Sequence, residues 1–297
     1  MLKIKIGEVC DVYDGPHATP KKIDKGPVYL GIDAITDNGK LNPSGYNYLS
    51  EEDYKIWTKR VTPQYGDLVF SYEATLGRYA LIPKDFYGCL GRRLAVVRPK
   101  DERINIKWLY YYFLSPEWSV YIANNTVKGS TVNRISIEDF PNFYIPLLER
   151  TEQDKIVKVL SAIDEKIDNN VNINDNLQSQ LRLIYENMIA KANSNQIKGN
   201  FVTVKEMADI TTGKEDANFS TVNGKYKFFT CSNVPLQCDE YAFESSSILI
   251  AGNGDFNVKY YSGKFNAYQR TYVLTASSEY YAILYLACLY QVNLFKS

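Results

Sequence analysis

The stretch EQDKIVKVLSAIDEKID, residues 152–168, decides how this chain is built. Its apolar residues recur every three or four positions, the spacing of a helix face. No proline or glycine interrupts residues 151–191. Thr151 can cap the start, with Asp154 three residues on, close to a capping box. The seam runs Ile156, Leu160, Ile163, Ile167, Asn170, Asn174, Leu177, Leu181, Ile184, Met188, a heptad pattern held for more than four repeats. A pattern this long drifts off the face of a globular domain, which predicts a coiled-coil spacer helix over residues 149–192, spanning roughly 60 Å. Two adjacent seam positions are asparagine, which would fix register and orientation at a cost in strength. An ordinary amphipathic helix packed on a domain is the simpler alternative.

Outward from this helix the composition changes. Both flanks are rich in tyrosine, glycine and β-branched residues, and they repeat one another. IGEVCDVYDG (residues 6–15) aligns without a gap on VKEMADITTG (204–213), placing Glu8 on Glu206 and Gly15 on Gly213. GDLVFSYEATLGRYALI (66–82) resembles SSILIAGNGDFNVKYYS (246–262). GCLGRRLAVVRP matches FNAYQRTYVLTA, with Arg93 on Arg270, and WLYYYFL (108–114) echoes YAILYLA (281–287). Four echoes in one order predict two copies of one domain, residues 1–148 and residues 200–297. Alternating apolar runs with Gly/Asn/Asp punctuation and one or two short helices predict an α+β class with a mostly-β core in each copy. The second copy lacks a counterpart of KGSTVNRISIEDFPNFYIPLL (128–148) and of the helix.

The chain has 297 residues, with 34 Lys/Arg against 34 Asp/Glu. The balance hides an asymmetry. Residues 55–134 hold 13 basic and 6 acidic side chains, and residues 135–192 hold 6 and 10. A locally basic region points to an anionic partner or to a solvated charged surface. The five cysteines fit no zinc or CxxC spacing, which predicts reduced, packed thiols in a cytoplasmic protein. No leader pattern opens the chain, and YYAILYLACLY is too short to cross a bilayer, so no membrane partner is expected.

Catalytic motifs are missing. There is no GxxxxGK[ST] loop, no GxGxxG after a strand and no Asn/Asp-Pro-Pro-aromatic motif. GNGDF at Gly252 lacks a following helix and a basic residue, and reads as a hairpin turn. The one histidine, His17 in DGPHATP, has no nearby Cys, Ser or second His. It reads as a locally bonded or surface residue rather than a base or metal ligand.

Taken together, DGPHATPKK, GDLVFSYEATLGRYALI, GRRLAVVRPK, the stretch KGSTVNRISIEDFPNFYIPLLERTEQDKIVKVLSAIDEKIDNN and the internal repeat resemble the specificity subunit of type I restriction-modification enzymes. The resemblance covers essentially the whole chain. It implies two target recognition domains separated by antiparallel helices, each reading one half of a bipartite double-stranded DNA site. It implies no catalytic centre and no cofactor in this chain. S-adenosylmethionine and ATP would belong to the methyltransferase and restriction subunits that such a subunit joins. A complete member would finish the second domain and add a second conserved helix. A second copy of this chain, as a homodimer, a separately encoded C-terminal fragment or a methyltransferase helix would then supply the partner for the seam.

Candidate DNA-contacting residues follow from chemistry: cations and polar groups hold phosphates, and groups reaching base edges specify sequence. Lys128, Ser130, Thr131, Asn133 and Arg134 form a compact basic-polar loop, which is otherwise a plain turn. Tyr72, Glu73, Thr75 and Arg78 lie in the turn after an apolar strand, where side chains are expected to leave the core. Arg92 and Arg93 are adjacent, so in a strand they face opposite ways. Asn253, Lys259, Gln269 and Arg270 take similar places in the second copy. A coiled-coil module whose repeated domains bind other proteins is the competing reading, and a steep salt dependence of duplex binding separates the two.

Overall fold

The computed structural model describes residues 2–129, 132–194, 202–254 and 256–292. Two compact units are present, Met1–Ile167 and Asp168–Ser297. In the first, strand β1 (Lys3–Lys5) leads through the one-turn helix α1 (Ile6–Val9) into β2 (Cys10–Asp14). Strands β3 (Ile23–Leu30) and β4 (Asn47–Tyr48), helix α2 (Glu51–Trp57) and strands β5 (Leu68–Ser71), β6 (Tyr79–Leu81), β7 (Gly88–Leu90) and β8 (Leu94–Pro99) follow. Helices α3 (Ile106–Phe113) and α4 (Pro116–Asn124) and strand β9 (Tyr144–Pro146) complete it. The long helix α5 (Arg150–Asn193) comes next.

Strand order β2-β8-β5-β6 forms an antiparallel sheet, and β4-β3-β7 a smaller one with β3 and β7 parallel. The central strands β5 and β8 are apolar on both faces because the sheet has a core on each side. Leu68, Phe70, Ala95 and Val97 point into a cluster with Trp108, Phe113, Trp118, Phe140 and Phe143. Val69, Leu94 and Val96 point the other way, toward Leu30, Ile35 and Ile82. Helices α3 and α4 start where Asn105 and Ser115 accept hydrogen bonds from Lys107 N and Trp118 N, with Pro116 opening α4.

The second unit repeats this plan. Helix α6 (Val204–Met207) opens into β10 (Ala208–Thr212), followed by β11 (Tyr226–Phe229), β12 (Leu236–Cys238), β13 (Phe243–Ala251), β14 (Val258–Ala267), β15 (Thr271–Ala276) and helix α7 (Tyr281–Tyr290). The registers coincide. Val12 faces Val97 as Ile210 faces Leu274, and Phe70 faces Ala95 as Ile250 faces Tyr272. Gly15 N donates to Leu94 O at 2.8 Å, and Gly213 N to Thr271 O at 3.0 Å. A Cβ on Gly15 would meet Gly91 O at 2.7 Å, and one on Gly213 would meet Ala267 O at 2.1 Å. That close approach of two backbones is why both copies need glycine there. One difference lies in the sheet's edge strand. Pro83 and the turn around it divide β6 from β7, whereas β14 runs unbroken and merges the second unit into one six-stranded sheet.

Helix α5 begins at Arg150, one residue before the expected cap, so Thr151 lies inside it. Its anchor in the first unit is polar. The fully buried Gln153 accepts from Asn105 N at 2.8 Å and donates to Arg103 O at 2.8 Å and Leu148 O at 2.9 Å. Arg150 and Asn105 both bond Asp154, whose carboxyl they hold below its usual range, Arg150 contributing most. Tyr111 donates to Asp164 at 2.8 Å. Of the seam, Ile156 packs against the first core, while Ile163, Ile167, Leu177, Leu181, Ile184 and Met188 are 42–54% exposed. Asn170 and Asn174 are exposed too. Within the second unit the buried residue of α5 is Tyr185, which lies against Tyr290 of α7 with ring centroids 5.4 Å apart.

Candidate nucleic-acid interface

Three segments distant in sequence meet at one edge of the first unit. Beyond β5 the chain turns through Ala74, whose φ is +69°. Tyr72 N donates to Arg93 O at 3.1 Å, and Ile135 N donates to Tyr72 O at 2.8 Å. Ala74 N reaches Asn133 O at 3.3 Å. Residues 127 and 134 exchange two backbone hydrogen bonds, Val127 N to Arg134 O at 2.9 Å and Arg134 N to Val127 O at 3.1 Å. The paired residues 127 and 134, with Asn133 and Ile135, are therefore stitched to the 72–75 turn, and that turn to the 92–93 turn. A cavity of about 430 Å³ opens beside this edge, lined by Asp37, Gly77, Ser119, Lys128 and Asn133 among others.

The side chains at this edge divide into three groups. Thr75, Arg92, Lys128, Asn133 and Arg134 are exposed, and among the described residues Arg92, Lys128 and Arg134 make no ion pair. Arg78 and Arg93 are tied down instead. Arg78 Nε lies 3.1 Å from Asp37 Oδ1 while its Nη1 donates to Ile32 O at 3.2 Å. Arg93 Nε lies 3.1 Å from Glu73 Oε1. Both Nε contacts are at ion-pair distance without the alignment of a hydrogen bond. Tyr72 does not leave the core. It is 5% exposed, packed in the first core with Ile135 beside it, and its hydroxyl finds no partner among the described residues. Burial first, then the charges of Asp14 and Glu73, push that phenol upward. Arg92 and Arg93 lie in a turn rather than a strand, and Arg93 adopts φ +74°, so their side chains are not set on opposite faces of a sheet. Ser130 and Thr131 lie outside the described residues.

Sequence reasoning missed Asp14 and Arg60. The Arg60 guanidinium bonds Asp14 Oδ1, and His17 Nε2 lies 2.9 Å from Asp14 Oδ2, so the surface histidine is locally bonded. The signal was the DGPH turn itself; Arg60, 46 residues away, carried none.

The second unit builds the same edge in outline. Gly252 N donates to Arg270 O at 2.8 Å, the counterpart of Tyr72 N to Arg93 O. This brings Asn253, Gln269 and Arg270 together as exposed side chains. Lys259 does not join them. Its ammonium turns inward to Asn257 Oδ1 and Thr230 O, and burial lowers its pKa. Within GNGDF, Gly252, Asn253, Gly254 and Phe256 lie between β13 and β14, and Asp255 lies outside the described residues. Among the described residues no cluster of His, Cys, Asp or Glu could hold a metal ion, and no helix is long and apolar enough to cross a membrane.

An α+β chain with two copies of one mostly-β domain and a long helix between them, presenting exposed cations and amides at a stitched edge, is the architecture of a DNA-specificity protein. The family described as the type I restriction modification DNA specificity domain matches residues 2–179, and the chain belongs to it. It is 51% identical over 73 residues to the type I restriction enzyme EcoDI specificity subunit of Escherichia coli, covering 25% of this chain and 16% of that protein. It is 30% identical over 104 residues to the putative type I restriction enzyme MjaX specificity subunit of Methanocaldococcus jannaschii, covering 34% of this chain and 23% of the relative. The chain thus spans less than a quarter of either curated relative. The solved S subunit of the type I restriction-modification system of M. genitalium aligns over 99% of this chain and 78% of its own, with TM-score 0.66. At 19% identity that likeness carries the fold.

Proposed function

We propose that this chain is a non-catalytic subunit that recognises double-stranded DNA for a type I restriction-modification complex, bridging methyltransferase subunits and directing them to a bipartite site. The observation that carries this reading is the stitching of three segments into one edge, where Arg92, Lys128, Asn133 and Arg134 stand exposed together. Cations there neutralise phosphate, and Asn133 and Thr75 have the donors and acceptors that read base edges. Chemistry on the DNA falls to partners: S-adenosylmethionine on the methyltransferase subunits and ATP on the restriction subunit, in the cytoplasm. The exposed apolar stripe of α5 supports pairing with a second helix, from a methyltransferase subunit, a second copy or a separate C-terminal fragment.

The test is duplex binding over a salt series by the chain with its methyltransferase subunits, against Arg134→Ala. The backbone of Arg134 pairs with Val127, and its exposed side chain makes no ion pair among the described residues, so the variant keeps the fold. A phosphate contact predicts weaker binding across all sequences and a salt slope reduced by about one unit. Unchanged affinity and slope remove Arg134 from the interface, and a salt-independent wild type removes the DNA reading.

A further inference from the structure

The stitched edge of the first unit does not stop at the 92–93 turn. Asp14 closes β2 opposite Ala95, and Gly15 N donates to Leu94 O at 2.8 Å. Gly15 lies so close to the same turn that a Cβ there would meet Gly91 O at 2.7 Å. Backbone pairing therefore runs from the end of β2 through the start of β8 and the end of β5 to residues 133–135, and from Arg134 to Val127. At a strand spacing of ~4.8 Å the row is roughly 19 Å wide, the length of about five or six base pairs of duplex. Exposed cations stand along it at Arg92, Arg134 and Lys128.

The β2 end carries a different device. Both carboxylate oxygens of Asp14 are engaged: Oδ1 accepts from Arg60 Nη1, and Oδ2 lies 2.9 Å from His17 Nε2. The Asp14 side chain is 16% exposed and that of Arg60 53%. A guanidinium has five N–H donors, and among the described residues Arg60 makes no other hydrogen bond or ion pair. Burial chiefly raises the Tyr72 phenol, and the charges of Asp14 and Arg60 are felt there too, which sets the pair beside the edge. The domain plan does not demand the acid. The second unit keeps the glycine as Gly213 but pairs Thr212 with Tyr272 where the first pairs Asp14 with Ala95.

We propose that Asp14 is a positioning residue for DNA binding, which holds the Arg60 guanidinium at the β2 end of the row so that its remaining N–H groups take a backbone phosphate. The inference rests on the DNA reading of this edge and extends the edge to the end of β2. Holding a long side chain in place beforehand spares the cost of ordering it on the ligand. The consequence is a reversed sign: an acid strengthens binding to a polyanion, whereas its charge alone would weaken it.

The test is binding of a random-sequence duplex over a salt series by the chain with its methyltransferase subunits. Arg60→Ala should weaken binding and lower the salt slope by about one unit. Asp14→Ala removes a negative charge, yet should weaken binding about three- to tenfold. Asp14→Asn keeps an acceptor for the guanidinium and should recover part of that loss. The double variant Asp14→Ala with Arg60→Ala should bind like Arg60→Ala alone, because the acid acts only through the arginine. Thermal unfolding separates lost binding from lost fold. Where Asp14→Ala lowers stability, Asp14→Asn, alone and with Arg60→Ala, takes its place in the cycle. A wild type without salt dependence defeats the DNA reading itself. With a salt-dependent wild type, three results overturn this proposal alone: an unchanged slope for Arg60→Ala, equal or tighter binding by the Asp14 variant, or a further loss in the double variant.

Discussion

Gln153→Ala removes the buried side chain that ties the start of α5 to the backbone at Arg103, Asn105 and Leu148. Three backbone groups around the buried Gln153 side chain lose their partner: Asn105 N–H, Arg103 C=O and Leu148 C=O. Each unsatisfied group costs ~1–3 kcal/mol, and water entering the vacated space recovers part, so the loss should be about 3–5 kcal/mol. That is a large share of the 5–15 kcal/mol typical of a domain. All three tryptophans, Trp57, Trp108 and Trp118, lie in the first unit, so their fluorescence reports its unfolding alone. With a urea slope of about 2 kcal/mol/M, the midpoint should fall by roughly 2 M. Gln153→Glu sharpens the test. Its carboxylate still accepts from Asn105 N–H but faces two carbonyl oxygens, which raises its pKa in the folded state above the unfolded value of about 4.3. A raised folded pKa means that stability is fully present below about pH 4 and is lost as pH rises through the folded value. The Glu variant should therefore approach wild type near pH 4 and fall behind it at pH 7. A deficit under about 1 kcal/mol for Ala, or a Glu deficit indifferent to pH, refutes the clamp.

Asp67 is 2% exposed and takes a two-pronged pair from Arg98, at 2.8 and 2.7 Å, plus Gln64 N. Asp67→Ala should cost about 3–5 kcal/mol by leaving a cation unpaired, read by the same tryptophan titration. Burial pushes the Cys10 and Cys89 thiols up to about 12 and Cys288 up to about 11, and raises Cys238 as well. Raised pKa values leave little thiolate at pH 8, so a thiol reagent should modify Cys231 rapidly and the other four only on unfolding; two or more fast thiols would contradict this. Asn170 and Asn174 are exposed, so leucine at both should leave the stability of each unit within about 0.5 kcal/mol while strengthening helix association, measured by mass against concentration.

The helix and the repeat were legible because each rests on a local rule. Unbroken spacing without proline or glycine specifies α5, and Gly15 and Gly213 mark a close backbone approach that only glycine permits. The interface was legible by segment rather than by side chain. Tyr72, Arg78 and Lys259 read as free polar groups, yet their surroundings come from Ile135, Asp37 and Thr230, none of which their own neighbours in sequence announce. Gln153 escaped for the same reason: hydrophobic periodicity does not register a buried amide whose partners lie up to 50 residues away. The seam gave the apolar stripe but not the packed face, since Tyr185, not Ile184 or Met188, is the buried residue there.

The break between β6 and β7 has a consequence for engineering. In the second unit the same path is one strand, passing through Gly263 at φ +137°, and any added residue would shift its register against β13 and β11. In the first unit the excursion carries the exposed Lys84 and Asp85, and the strands on either side belong to separate sheets, each with its own ladder. Extra residues there enlarge a loop whose closure cost grows only with the logarithm of its length. A tag or a fluorophore-bearing insertion between Lys84 and Asp85 is thus tolerated by a chain that would reject the same cargo within β14.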